Sequence, residues 1–133
     1  MTPHIYETDE ANRLLPIVRA AVTRIVEQMG RLPELKEELR TATYRSRRLE
    51  AGREDADAEK GAAAAVRAAE DMLAAALREL EDLGVQLKDP HIGLVDFLSR
   101  RDGEVVELCW KLGEDRIIYW HRIGEGYPGR RPL

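Results

Sequence analysis

The sequence predicts an α+β fold, a long antiparallel helical hairpin followed by a small antiparallel sheet. Three observations carry that prediction. Two long stretches place apolar residues at alternating gaps of three and four, the spacing of a helical stripe. A polar segment containing Gly52 separates them. From Val85 onward β-branched and aromatic residues alternate with polar ones, punctuated by Asp102-Gly103 and Gly113-Glu114-Asp115.

The first helix is expected over residues 9–50. Thr8 offers an N-cap, and Asp9 and Glu10 sit where the helix dipole favours acids. Its stripe is Leu15, Val18, Val22, Ile25, Met29 and Leu32, continued by Leu35 and Leu39. Pro16 should bend the helix, and Gly30 with Pro33 predicts a kink or short interruption near 30–33. The hairpin tip is placed at 49–56. The second helix should run over 57–83 on an unbroken stripe of Ala62, Val66, Ala69, Leu73, Ala76, Leu80 and Leu83. Its alternate alanines let the two helices approach closely, as in a short coiled coil. Gly84 supplies the left-handed C-cap. Three strands follow, at 94–98, 105–112 and 116–122, forming a meander. The last stretch, GEGYPGRRPL, reads as an extended C-terminal tail. Because the hairpin returns the chain to its starting end, the sheet should pack on residues 10–25 and 73–83, with the Arg-rich tip projecting away.

Composition sets the outer limits. A chain of 133 residues, 44% hydrophobic and 35% charged, suits one globular domain spanning 1–133, with the hairpin over 8–83 and the sheet and tail over 84–133. No apolar run approaches the roughly 20 residues that cross a bilayer, and the N-terminus lacks a signal-peptide pattern, so no membrane partner and a cytoplasmic location are expected. The lone cysteine, Cys109, forms no internal disulfide and fits a reducing compartment. Residues 1–83 carry 13 Lys/Arg against 17 Asp/Glu, and residues 84–133 carry 8 against 8, so neither half is a general polyanion binder. Arg40, Arg45, Arg47, Arg48 and Arg53 near the tip can grip nucleic acid. Glu50, Glu54, Asp55 and Asp57, with Tyr44 as the one nearby aromatic, instead favour a solvated, self-paired tip.

The opening YETDEANRLLP and the later segments GLVDF, LCW, LGE, YWH and GYPGRRPL resemble the bacterial family called domain of unknown function 2203, over essentially the whole chain. The resemblance implies a helical hairpin with a small sheet and no established activity. It marks Asp96, Cys109, Trp110, Gly113, Glu114, Trp120, His121, Gly126 and Arg130 without assigning their roles.

Strand alternation reads the same region independently. Val106, Leu108 and Trp110 share one face, and Val105, Glu107 and Cys109 the other. In the next strand Ile118 and Trp120 oppose Ile117, Tyr119 and His121. If both tryptophans pack on the helices, Cys109, Glu107 and His121 emerge together on the far face, where Asp96 can join them. A thiol, an imidazole and two carboxylates suit zinc or another transition metal through Cys109, His121 and Asp96. They equally suit a Cys–His nucleophilic pair, with Glu107 as a further catalytic candidate. The competing structural reading makes Cys109 a small buried hydrophobe and His121 a strand cap. Register decides, because a slip of one residue groups Cys109 with Trp120. A second candidate site is an anion cradle of Gly126, Gly129, Arg130 and Arg131, with Gly124 beside them. The alternative is a strap whose arginines pair with Asp89 or Glu114.

No complete catalytic constellation is present, so the leading expectation is a non-enzymatic interaction or assembly module. The alternative is a small metal- or anion-binding enzyme or sensor on the C-terminal sheet and tail. Apolar residues off the stripes, among them Leu14, Ile17, Val26 and Leu35 in the first helix and Ala65, Met72 and Leu77 in the second, predict a homodimer that pairs hairpins into four helices.

Overall fold

The computed structural model describes residues 3–133. Helix α1 spans Thr8–Ser46 and α2 spans Arg53–Leu83; five strands follow, β1 Gln86–Asp89, β2 Leu94–Arg101, β3 Glu104–Lys111, β4 Tyr119–Arg122 and β5 Arg131–Pro132. They form one antiparallel meander in the order β1-β2-β3-β4-β5. The α+β hairpin-plus-sheet class is therefore as expected, but the sheet has five strands rather than three. The two added strands are short and polar, four and two residues long, too brief to show a period of two. The C-terminal tail is correspondingly not simply extended. It contains a 3-10 turn at Tyr127–Gly129 and then pairs with β4.

The hairpin differs from expectation at its ends. Glu7, not Thr8, is the N-cap, and its backbone N–H donates to Glu10 Oε1 at 3.3 Å, half of a capping box. The tip is shorter than 49–56, with α1 stopping at Ser46 and α2 starting at Arg53. No interruption occurs at 30–33, because α1 is one continuous helix through Pro16 and Pro33. Both prolines lie on its exposed side, where water can serve the freed carbonyls. Gly84 is the left-handed C-cap at φ 73°, as expected.

The main core lies between the sheet and the sheet-proximal half of the hairpin. Ala11, Leu15, Val18, Val22 and Ile25 of α1 and Ala76 and Leu80 of α2 meet Val95, Phe97, Leu108, Trp110 and Trp120. Trp110 is fully buried and Trp120 is 9% exposed, so both tryptophans face the helices as the strand reading required. Farther out, Leu32, Val66 and Ala69 form a smaller cluster that closes the hairpin.

Polar bonds pin sheet to helix at two corners. Asn12 accepts from the Ile117 N–H at 2.8 Å and donates to the Ile117 carbonyl at 3.3 Å, so it stands in for a missing strand neighbour just before β4. Tyr6 pairs with the free edge of β2 through its N–H and the Leu98 carbonyl at 2.7 Å, and its hydroxyl donates to the Leu83 carbonyl. Gly93, in the turn into β2, packs directly against α1. Its φ is +72°, and a Cβ there would lie 2.7 Å from Val22 Cγ1 and 2.8 Å from Leu112 Cβ. Gly93→Ala should therefore cost at least about 2 kcal/mol, from left-handed strain and overpacking together. A urea titration would measure it, and an unchanged midpoint would show that the turn can move away from α1.

Candidate metal centre

Asp102 and Gly103 join β2 to β3, both at positive φ (51° and 78°), the two-residue turn that matches strand twist. That turn fixes the register, and Arg101 opposite Glu104 propagates to Asp96 opposite Cys109. On the other side of β3, Glu107 lies opposite His121 and Cys109 opposite Tyr119. Directly opposed residues share a face. Asp96, Glu107, Cys109 and His121 therefore gather on the face turned away from the helices, while Val95, Phe97, Leu108, Trp110 and Trp120 take the other.

This outer face is buried. Asp96, Cys109 and His121 are each 1% exposed and Glu107 is 6% exposed, which is unusual for carboxylates. The burial comes from the C-terminal strap. Arg130 lies over the Tyr119 and Tyr127 rings, 3.9 Å and 4.7 Å from their centroids, and pairs with Glu114 at 2.6 Å. Glu114 is in turn fixed by the Lys111 N–H at 2.8 Å, and its carbonyl accepts the Trp110 indole N–H at 3.0 Å. One glutamate thus ties the strap, the β3 turn and the core tryptophan together.

One ligand atom from each of Asp96, Cys109 and His121 falls within 4.8 Å of the other two. His121 Nε2 is 3.1 Å from Asp96 Oδ1, and Nδ1 is 2.9 Å from the Arg122 carbonyl and 3.9 Å from Glu107 Oε1. Each ring nitrogen therefore faces an oxygen. A neutral imidazole has one N–H and can donate to only one of them. With that hydrogen at Nδ1, bonded to the Arg122 carbonyl, the Nε2 lone pair points at a carboxylate oxygen. Either a second ring proton donated to Asp96 or a metal ion shared by Nε2, Oδ1 and the sulfur would remove that repulsion, and a backbone carbonyl holding the far N–H is the usual support for a histidine ligand. Zinc bonds of about 2.0–2.3 Å put tetrahedral ligands about 3.3–3.8 Å apart, within the spread seen here.

The electrostatics fit the same arrangement. Burial, then the Asp96 charge, pushes the Cys109 thiol up to about 12, with Arg130 opposing. Burial and Asp96 likewise raise Glu107, against the pull of Lys88 and His121. The cluster is rich in anion-forming groups and short of cations. As a nucleophile Cys109 is poorly served, being sealed from solvent and held protonated. A thiol reagent should therefore label Cys109 in native protein far more slowly than in urea-unfolded protein; equal rates would mean that the strap does not cover it. A partly open cavity of about 180 Å³ lies beside the cluster, lined by Asp96, Glu107 and His121 together with Lys88, Gly124, Gly126 and Tyr127.

The residues suggested for an anion cradle do not converge. Arg131 makes a bidentate pair with Glu125 at 2.9 and 3.0 Å and lies over Trp120, whereas Arg130 lies over Tyr119. Tyr119 and Trp120 are consecutive strand residues on opposite faces, so the two guanidiniums are parted. The Arg131 pairing holds the Glu125 carboxyl well below the usual carboxylate range. Gly126 takes φ 66°, and a Cβ on Gly129 would sit 2.6 Å from Glu125 Cβ, so these glycines shape the strap. At the tip, Arg40 pairs with Glu37 and Arg48 lies 3.7 Å from Glu50.

Lys88, Tyr127 and Asn12 escaped the sequence reading. Lys88 lies in a strand too short to recognise, and Tyr127 reaches the site only through the fold of the strap. Asp89-Pro90 followed by Gly93 was the available turn signal for β1.

Fold and site together define a hairpin-and-meander protein with a buried Asp–Cys–His cluster under a C-terminal strap. The chain belongs to the family described as "Uncharacterized conserved protein (DUF2203)", whose model matches residues 4–133. No curated protein and no solved structure matches it. Among the described residues no helix is long and apolar enough to cross a membrane.

Proposed function

We propose that the protein binds one divalent transition-metal ion, zinc being the best match, through Asp96 Oδ1, Cys109 Sγ and His121 Nε2. The observation that carries this reading is the buried convergence of three different ligand atoms within 4.8 Å, with His121 Nδ1 anchored on a backbone carbonyl. A mixed sulfur, nitrogen and oxygen set suits zinc, which has no geometric preference of its own. Three protein ligands leave a fourth position for water or a small ligand, and the cavity lined by Asp96, Glu107 and His121 offers room for one. That pattern belongs to sites that exchange ligands, so this reading places the protein nearer the metal-dependent enzyme or sensor than the purely structural module. A free thiol available as a ligand is favoured by a reducing compartment, in keeping with the cytoplasmic location proposed from the single cysteine.

Metal analysis of protein purified without a histidine tag tests the proposal. About one zinc, iron or manganese per chain is expected, lost in Cys109→Ser and in Asp96→Asn. Metal-free wild-type protein that also fails to take up added zinc would overturn it.

A further inference from the structure

The hairpin carries a second feature, independent of the metal reading. A groove of about 460 Å³ runs along one side of the hairpin near the sheet, between α1 and α2. Met29, Leu32 and Pro33 line it from α1, and Leu73, Ala74 and Leu77 from α2. Leu77 is 39% exposed, and Pro33 and Ala74 are exposed beside it. At its distal end the rim carries Lys36 on α1 and Glu70 on α2. Neither has a charged partner among the described residues. Pro33 has no N–H, so the Met29 carbonyl lacks its helical donor on the same side.

We infer that this groove is the interface between two copies of the chain, related by a two-fold axis parallel to the hairpin. That axis lays α1 of each copy against α2 of the other at the same height, with both sheets at one end. Lys36 then meets Glu70 of the partner subunit, and Glu70 meets Lys36 of the partner subunit. The rim is thus complementary to itself, which is the requirement of an isologous contact. Every neighbouring helix pair in the resulting four-helix arrangement is antiparallel, the packing that such bundles favour. A two-fold axis perpendicular to the hairpin would instead lay α1 on α1 and α2 on α2, so that Lys36 and Glu70 no longer meet and both pairs are forfeited.

Light scattering with charge-reversal variants tests this. Wild-type protein at micromolar concentration should have a mass near 30 kDa, twice the 15.1 kDa chain. Lys36→Glu and Glu70→Lys should each weaken association at least about tenfold, because each sets like charges together twice per dimer. Mixing the two variants should restore the dimer, since every contact between copies is then of opposite sign. Within each chain residues 36 and 70 remain alike in charge, so rescue reports the contact between copies and not hairpin stability. Circular dichroism would check that both variants keep their helices. A wild-type mass of 15 kDa at all concentrations, variants that dimerise like wild type, or a mixture no more associated than its parts would each overturn the inference.

Discussion

Trp110→Ala should lower the unfolding free energy by about 3–5 kcal/mol, the range for truncating a large buried aromatic. The indole is fully buried against α1, and the hydrogen bond to the Glu114 carbonyl adds a polar loss to the cavity. Arg19 lies over the same ring at 5.7 Å and donates to the Asp115 carbonyl at 3.0 Å, so the turn after β3 would loosen as well. A domain of this size has a total stability on the order of 5–15 kcal/mol, and the variant should therefore be marginal. Trp120→Ala should cost less, since that ring lies at the edge beneath Arg101 and Arg131. Urea unfolding of both variants checks the order. A loss below about 1 kcal/mol for Trp110→Ala would mean that the sheet does not present this face to the helices.

Metal affinity should fall more than about a hundredfold in His121→Ala, beyond the loss caused by disturbing a ligand's support. The imidazole supplies one donor directly and holds a second in place, Asp96 Oδ1 lying 3.1 Å from its Nε2. Competition against a chromophoric chelator reads the affinity, and thermal unfolding gives a second readout. A ligand at a hundred times its dissociation constant stabilises the native state by about 2.7 kcal/mol, so added zinc should raise the wild-type midpoint and leave the variant's unmoved. Cys109→Ser, nearly isosteric, separates loss of a ligand from loss of fold. Equal affinity in His121→Ala and wild type would place any bound ion elsewhere.

The parts of this architecture visible in the sequence are those governed by local periodicity. The stripes from Leu15 to Leu32 and from Val66 to Leu80 identify both helices, and Gly84 and Asp102-Gly103 identify the points where the chain turns. Strand alternation also offered, as one of two registers, Cys109, Glu107 and His121 on the face opposite the tryptophans. It could not choose between two registers, because that depends on the two residues of a turn and on where β4 starts. The chain between β3 and β4 is irregular and held by Asn12, a contact between residues 105 positions apart that no local pattern encodes. The strap was the least legible. Its glycines and arginines fit an anion cradle as well as a strap paired to Asp89 or Glu114, and only the Glu114 and Glu125 pairings decide which carboxylates the guanidiniums meet. Helix continuity through Pro33 belongs to the same class, since packing of Leu32 and Leu35 onto α2 outweighs one lost backbone bond.

The measurement that tests the metal site most directly is the absorption spectrum of the protein titrated with cobalt(II). Cobalt bound by Cys109 should give a thiolate-to-metal charge-transfer band in the near ultraviolet that saturates at one ion per chain, with tetrahedral visible bands. The charge-transfer band should vanish in Cys109→Ser. The visible bands should weaken in His121→Ala. A titration with no charge-transfer band, or a band that survives in Cys109→Ser, would contradict the site.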